Sequence, residues 1–313
     1  MCELIETPIT ESILHPNGCV IHYKRDDLLP YSFGGNKVRI AYEFLKDLKD
    51  KGCDTIVGYG SAKSNLSRVV ANISTQLSGG YIITSYDDGE SGEEAESFNN
   101  TLVSLCGVKT RSCVKSRVAE TVGSVLDEIA CSGHKPYYIY GDKFGKGNER
   151  VPVMAYYRAY DEIRHQEEAK GLHFDYIFHA SGTGMTQAGL VAGLAASCDE
   201  RRIVGISVAR SKERLESIIS DSCRLFLCDE SFDSSLVEVD DSHLCGGYGS
   251  YDEHVETVID TVYRNDGVAL DPCYTGKAFT GMLDYIEREG LEEQDILFIH
   301  TGGLPLFFDH LRR

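Results

Sequence analysis

The chain lacks several features that would have narrowed its function at once. Nowhere in its 313 residues does an apolar run approach the ~18 residues of a membrane span, so no membrane partner is expected. The opening residues, Met1-Cys2-Glu3-Leu4-Ile5-Glu6, carry neither a basic region nor a long apolar core, and no signal peptide is predicted. Positive charge is scarce: 31 Lys and Arg stand against 49 Asp and Glu, for a net charge of −18. That balance disfavours nucleic acid and anionic membranes as partners. It leaves room for an anionic ligand, because backbone amides bind phosphate without net positive charge. The 11 cysteines include no CxxC pair and no zinc-finger spacing, so no metal site is expected. They read as reduced thiols of a cytoplasmic protein, most of them small core residues. Internal repeats and low-complexity linkers are missing too.

What is present is an ordinary globular composition, 42% hydrophobic and 26% charged. Apolar, β-rich runs occur at Cys19–Tyr23, Thr55–Tyr59, Tyr81–Ser85, Tyr137–Tyr140, Phe174–Ala180, Ile203–Val208, Val268–Leu270 and Ile296–His300. Helical patterns separate them, near 37–51, 64–78, 93–106, 115–131, 151–170, 186–198, 212–221, 252–265, 276–289 and 305–312. Strand–helix alternation of this kind predicts an α/β fold with parallel sheets covered on both faces. Two lobes with a ligand crevice at the carboxyl ends of strands is the expected arrangement.

Two segments carry chemistry. In Phe33-Gly34-Gly35-Asn36-Lys37 a lysine follows a glycine doublet and an asparagine suited to cap the helix that Ile40, Ala41, Phe44, Leu45 and Leu48 mark. On local grounds Lys37 reads as a solvated residue in a first helical turn, although a cation there opposes the helix dipole. The second segment follows the strand Phe174–Ala180 and reads Ser181-Gly182-Thr183-Gly184-Met185-Thr186-Gln187-Ala188-Gly189. Strand, Gly/Thr turn, helix points free amides and hydroxyls at an anion. A P-loop is rejected, because Leu190 stands where lysine is required. A dinucleotide site fits poorly, since the following strand ends in Ala209-Arg210 without an acidic residue; Arg210 facing a 2′-phosphate keeps an NADP enzyme open. A lone cofactor phosphate, such as that of pyridoxal phosphate, needs only the amide cup and a reactive lysine elsewhere, for which Lys37 is the candidate.

These motifs, with Lys24-Arg25-Asp26-Asp27, Ser64-Asn65, Tyr248-Gly249, Asp271-Pro272-Cys273-Tyr274-Thr275-Gly276-Lys277 and His300-Thr301-Gly302-Gly303, occur in one order along nearly the whole chain. In that order the chain resembles the D-cysteine desulfhydrase / 1-aminocyclopropane-1-carboxylate deaminase family, pyridoxal-phosphate enzymes of the tryptophan-synthase-β-like fold (fold type II). The resemblance implies a two-lobed, three-layer parallel-sheet architecture, with a large domain of residues 1–40 plus 149–313 and a small domain of 41–148. It implies pyridoxal 5′-phosphate as cofactor, a small amino acid as substrate and a homodimer. Lys37 would bond the cofactor aldehyde and later shuttle the α-proton. Gly182, Thr183, Gly184, Met185 and Thr186 would hold the phosphate, and Asn65 would lie near the 3′-oxygen of the ring. Ser64 would bind the substrate carboxylate or assist proton transfer. Tyr248 and Tyr274 would flank the substrate, and Thr301 would face the pyridine nitrogen, with Thr275 nearby.

Each of these residues also has a plainer reading. Ser64 and Asn65 suit a helix start, Thr301 suits a turn, and two tyrosines among 18 are unremarkable by themselves. The family's ring-opening deaminases carry glutamate where this chain has Thr275 and leucine where it has Thr301, so the resemblance leans to the desulfhydrase branch. Two departures bear on specificity: Lys63-Ser64-Asn65-Leu66 replaces a Gln-Ser-Asn-His or Gln-Ser-Asn-Gln pattern, and Ile40 replaces a second basic residue after Lys37. The expected activity is α,β-elimination on an amino acid most like D-cysteine, giving pyruvate, ammonia and hydrogen sulfide. Loss of sulfite, chloride or hydroxide, ring-opening deamination, racemisation, β-replacement and a catalytically silent amino-acid-binding protein stay open as alternatives.

Overall fold

The structure is a computed structural model that describes residues 4–61, 63–87 and 97–312. Ten strands are formed among the described residues: β1 (Ile9–Glu11), β2 (Val20–Lys24), β3 (Thr55–Gly60), β4 (Gly79–Tyr86), β5 (Lys109–Val114), β6 (Pro136–Tyr138), β7 (Tyr176–Ser181), β8 (Arg202–Ser207), β9 (Glu238–Asp240) and β10 (Asp295–Ile299). Ten α-helices accompany them: α1 (Asn36–Asp50), α2 (Asn65–Ser74), α3 (Phe98–Leu105), α4 (Val118–Cys131), α5 (Arg150–Lys170), α6 (Met185–Ser197), α7 (Lys212–Leu227), α8 (Glu253–Asp266), α9 (Thr275–Arg288) and α10 (Leu304–His310). None of the described helices is long and apolar enough to cross a membrane. The chain divides into two compact units, one of residues 1–4 and 37–152, the other of 5–36 and 153–313.

The second unit holds a six-stranded sheet in the order β1-β2-β10-β7-β8-β9, parallel except for the edge pair β1–β2. Parallel strands need crossover helices, which cover both faces and make the strands apolar throughout. β7 accordingly has no exposed residue. Successive residues of β8 show the two layers. A side chain on Gly205 would run into Gln187 of α6, whereas Ile206 packs close to Gly281 of α9. On the α9 side, α8 and α9 join Tyr23, Phe178, Ile206 and Phe298 in one continuous core. On the other side α6 is buried nearly all round, and Gly189 and Gly193 let its backbone approach Tyr156 and Tyr160 of α5. These two tyrosines belong to the core: their hydroxyls donate to Asp26 (2.5 Å) and Asp199 (2.7 Å).

The first unit is built on an all-parallel sheet in the order β5-β4-β3-β6. Gly58 and Gly80 bring α2 close onto this sheet, against Val70 and Ser74. An α/β fold with parallel sheets is therefore what the alternation predicted.

Three differences from the sequence reading have physical causes. Val268 and Leu270 are buried but the run forms no strand, because burial alone does not supply a ladder partner. The strands β1, β5 and β9 carry too little apolar signal to be read; β5 is mostly exposed. Of the ten described cysteines, all unpaired, only Cys19, Cys223 and Cys273 are buried, which corrects the expectation that most serve the core. Cys198 and Cys228 instead close helices in left-handed backbone conformations. The part of the 93–106 helix before residue 97 lies outside the described residues.

Candidate active site

The segment expected to hold a phosphate is the turn from β7 into α6. Gly184 sits at the N-cap with φ +90°, and a side chain there would strike Ile219 at 2.9 Å, so the turn depends on glycine. No side chain caps α6 and no acidic residue occupies its first turn. Among the described residues, the amides of Thr183, Gly184, Met185 and Thr186 have no hydrogen-bond acceptor. Unfilled amides at the positive end of a helix dipole, with the Thr183 and Thr186 hydroxyls beside them, form an anion site. Arg210 reaches this turn by donating to the Gly182 carbonyl, which ties its guanidinium to the backbone instead of offering it to a 2′-phosphate. Thr186 Oγ1 accepts from Asn36 Nδ2 at 3.1 Å. The cup is thereby joined to the glycine doublet.

That doublet is a contact of backbone on backbone. Gly34 (φ +65°) would place a side chain 2.1 Å from the Asp27 carbonyl oxygen. Gly35 (φ +96°) would place one 2.6 Å from the Thr301 carbonyl oxygen, and Gly302 (φ +90°) one 2.6 Å from the Gly35 Cα. The Asn36 amide donates to the Thr301 carbonyl at 3.1 Å. Asn36, expected as a cap before the helix, is itself the first residue of α1 and spends its side-chain amide on Thr186. Lys37 follows it in the chain. Its ammonium has no hydrogen bond or ion pair among the described residues, and burial lowers its pKa from 10.5 to about 8. At neutral pH roughly a tenth of such an amine is uncharged, far more than for a solvated lysine. The solvated reading of Lys37 does not hold.

Around the 271–275 turn, Asp271 is fully buried and accepts from the amides of Cys273 (2.9 Å), Tyr274 (2.8 Å) and Thr275 (3.1 Å). Burial raises its pKa even though these amides pull the other way. The Thr275 hydroxyl donates to Asp271 Oδ2 at 2.9 Å and accepts from the Asp271 amide at 2.8 Å. Its one proton is committed to the framework. The Thr301 hydroxyl, by contrast, has no partner among the described residues. Tyr274 is fixed by this cap, and its hydroxyl lies 2.5 Å from that of Tyr248, which comes from an exposed loop. Burial and the neighbouring Tyr248 oxygen drive the Tyr274 phenol well above its ordinary pKa. His300 is structural: its Nε2 faces the Ala269 carbonyl (3.0 Å) and its Nδ1 accepts from the Gly302 amide (3.2 Å).

The first unit has a polar group of its own at the start of α2. Ser64 is the N-cap, its hydroxyl accepting from the Ser67 amide at 3.2 Å. Asn65 Oδ1 accepts from Asn99 Nδ2 (3.0 Å), and Asn99 Oδ1 accepts from Arg68 Nε (2.9 Å). Arginine can only donate, so this relay fixes both amides and leaves the Asn65 NH2 as a donor. Burial lowers the Arg68 pKa to about 10, still charged at neutral pH. Asn99 and Arg68 went unread in the sequence. The available signal was an asparagine on the buried face of a short helix. Lys63 is exposed, and only its carbonyl is engaged, by Asn99 at 2.9 Å.

The donor set suits one cofactor chemistry. An uncapped helix start with four unfilled amides suits a phosphate monoester, and a half-buried amine of lowered pKa suits an aldehyde. With doubly covered parallel sheets, this defines a fold type II pyridoxal-phosphate enzyme. The profile of the family described as "Pyridoxal-phosphate dependent enzyme" matches residues 3–302, and the chain belongs to that family, in the group of the D-cysteine desulfhydrases and 1-aminocyclopropane-1-carboxylate deaminases; its cofactor is pyridoxal phosphate. A protein of Pyrococcus abyssi, provisionally named a 1-aminocyclopropane-1-carboxylate deaminase, is 34% identical over 97% of this chain and 91% of its own length. The D-cysteine desulfhydrase of Klebsiella pneumoniae is 28% identical over 93% of this chain and 89% of its own. The crystal structure of a 1-aminocyclopropane-1-carboxylate deaminase homologue is 31% identical and covers 98% of this chain with 93% of its own, at a TM-score of 0.82.

Proposed function

We propose that the protein is a lyase that eliminates the β-substituent of a small amino acid, with D-cysteine as the substrate type. The observation that carries this reading is the Thr275–Asp271 hydrogen bond. It withdraws the 275 side chain from any role as proton donor and leaves the Thr301 hydroxyl as the neutral partner for a pyridine nitrogen. The cofactor, when bound, supplies an aldehyde to engage the substrate amine and a ring that draws electrons from the α-carbon. A ring facing only a hydroxyl withdraws electrons less strongly than one facing a carboxylate. Elimination of a good leaving group tolerates this, because the negative charge at the α-carbon passes on at once to the departing sulfur.

The chain's own residues then have distinct tasks. Lys37, held near pKa 8, removes the α-proton from the substrate. The amides of Thr183 to Thr186 would hold the phosphate, and the NH2 of Asn65 would serve the 3′-oxygen. The Ser64 hydroxyl orients the substrate carboxylate. The Tyr248–Tyr274 pair hands a proton to the leaving sulfide. The raised phenol pKa of Tyr274 keeps that proton in place until sulfur develops charge. The balance is one amino acid and one water in, and one pyruvate, one ammonia and one sulfide out.

The test is to purify the protein with pyridoxal phosphate and assay pyruvate and sulfide from D-cysteine, L-cysteine, cysteate and β-chloroalanine. Lys37→Ala is expected to abolish both turnover and the visible absorbance of the bound cofactor; turnover equal to wild type would end the proposal. Ring opening of 1-aminocyclopropane-1-carboxylate is the second reading, favoured by the names of the relatives at 34% and 31% identity. It predicts a four-carbon 2-oxo acid and ammonia from that substrate, and neither pyruvate nor sulfide from the substrates above.

A further inference from the structure

Lys277 is the third residue of α9 and has no exposed surface. A cation in a helix's first turn opposes the dipole, and a buried ammonium without a carboxylate is costly, so its position calls for a compensating contact. Among the described residues it has no acidic hydrogen-bond partner. Its Nζ donates instead to three main-chain carbonyls: Leu244 (2.8 Å), Gly247 (2.8 Å) and, more weakly, Val208 (3.5 Å) at the end of β8.

The two close carbonyls belong to the loop that carries Tyr248. That loop holds Cys245, Gly246, Gly247 and Gly249 at positive φ, and a side chain on Gly247 or Gly249 would meet nothing within 4 Å. Two main-chain hydrogen bonds turn it, Gly247 amide to Leu244 carbonyl (2.8 Å) and Ser250 amide to Gly247 carbonyl (3.3 Å). Those are the same two carbonyls the ammonium grips. One lysine therefore joins both turns of a glycine-rich loop to the helix that begins at Thr275, directly after Tyr274.

We propose that Lys277 is a positioning residue, whose ammonium clamps the 244–249 loop so that the Tyr248 hydroxyl stays on that of Tyr274. The catalytic consequence rests on the role proposed above for the tyrosine pair; the clamp itself does not.

The experiment is made on the holoenzyme with Lys277→Met, which keeps the length and packing of the side chain and removes the charge. Hydrogen exchange in the peptide spanning 244–251 is expected to quicken about tenfold, while the peptide over β10 is unchanged. Unchanged exchange at 244–251 overturns the proposal. Turnover is expected to fall about tenfold with the cofactor band retained, and Lys277→Met added to Tyr248→Phe should cost nothing further. Independent, multiplying losses in that double variant would overturn the link to Tyr248. If Lys277→Met does not fold, Lys277→Gln removes the charge and shortens the arm and is expected to show a smaller rise in the same peptide; no rise there refutes the clamp. A wild-type enzyme inactive on every substrate would refute the proposed function, and the exchange result would still decide the clamp.

Discussion

Two helix starts in the same unit, those of α6 and α9, meet the same physical problem in opposite ways. Every helix begins with amides that lack partners inside it. At α9 the buried Asp271 carboxylate takes three amides and the Thr275 hydroxyl, so the chain supplies its own anion. At α6 the turn is built from Gly182, Thr183 and Gly184, with no acid in the first turn and the amides unfilled. The lesson is that an anion site is recognised less by what is present than by what has been kept out. Tyr274 and Thr275 inherit rigidity from the filled start. Thr183 and Thr186 border the one left open.

The contrast can be broken from either side. The largest effect is expected from Asp271→Ala, which strips the filled start of its anion and leaves three buried amides unpaired. Urea unfolding should show a loss of about 3–5 kcal/mol, the range for removing one partner of a buried charged network. A loss below 1 kcal/mol would mean that water replaces the carboxylate and that the two starts differ little.

The two threonines give a smaller, sharper comparison. Thr275→Val leaves the Asp271 amide without its acceptor and should cost about 1–3 kcal/mol in the cofactor-free protein. Thr301→Val removes a hydroxyl with no partner and should cost no more than about 0.5 kcal/mol there. With cofactor bound, the order should reverse in the visible spectrum, where only the Thr301 variant is expected to shift the band. Equal spectra would remove Thr301 from the ring nitrogen.

The smallest effect on folding, and the most diagnostic, is expected from Thr183→Asp. It gives α6 the internal anion that α9 already has. Cofactor-free protein should gain about 0.3–1 kcal/mol. Affinity for pyridoxal phosphate, read by titrating its absorbance, should fall at least roughly tenfold, because two anions compete for one set of amides. Unchanged affinity would exclude the α6 start as the phosphate site.

Much of this was legible in the residues. All ten helices fall at or near the segments read as helical, and the β7–α6 turn announced itself by crowding glycine and threonine into one place. The strand β5 hid because Lys109 to Ser112 are polar and exposed. The Asn99–Asn65 relay hid for a different reason: 34 residues separate its members, and only folding shows that one amide orients the other. Lys37 was readable as a candidate whose helix-start position disfavours its charge, but the lowered pKa comes from burial, which no local motif encodes. Asp271 and Lys277 lay in a quoted motif. Their work, one collecting amides and the other carbonyls, appears only once the chain closes on itself.

The glycine contact between residues 35 and 302 has a consequence for anyone altering this enzyme. Most tight spots in a protein can be relaxed by shrinking the neighbour, so a lost fit at one position is recoverable at another. Here both neighbours are already the smallest residue available, and each would drive a new carbon to within 2.6 Å of main-chain atoms. No second-site suppressor can exist among side chains. The spacing between the turn at Thr301, after β10, and the start of α1 is therefore a dimension fixed by backbone alone, and redesign of the substrate preference must proceed around it.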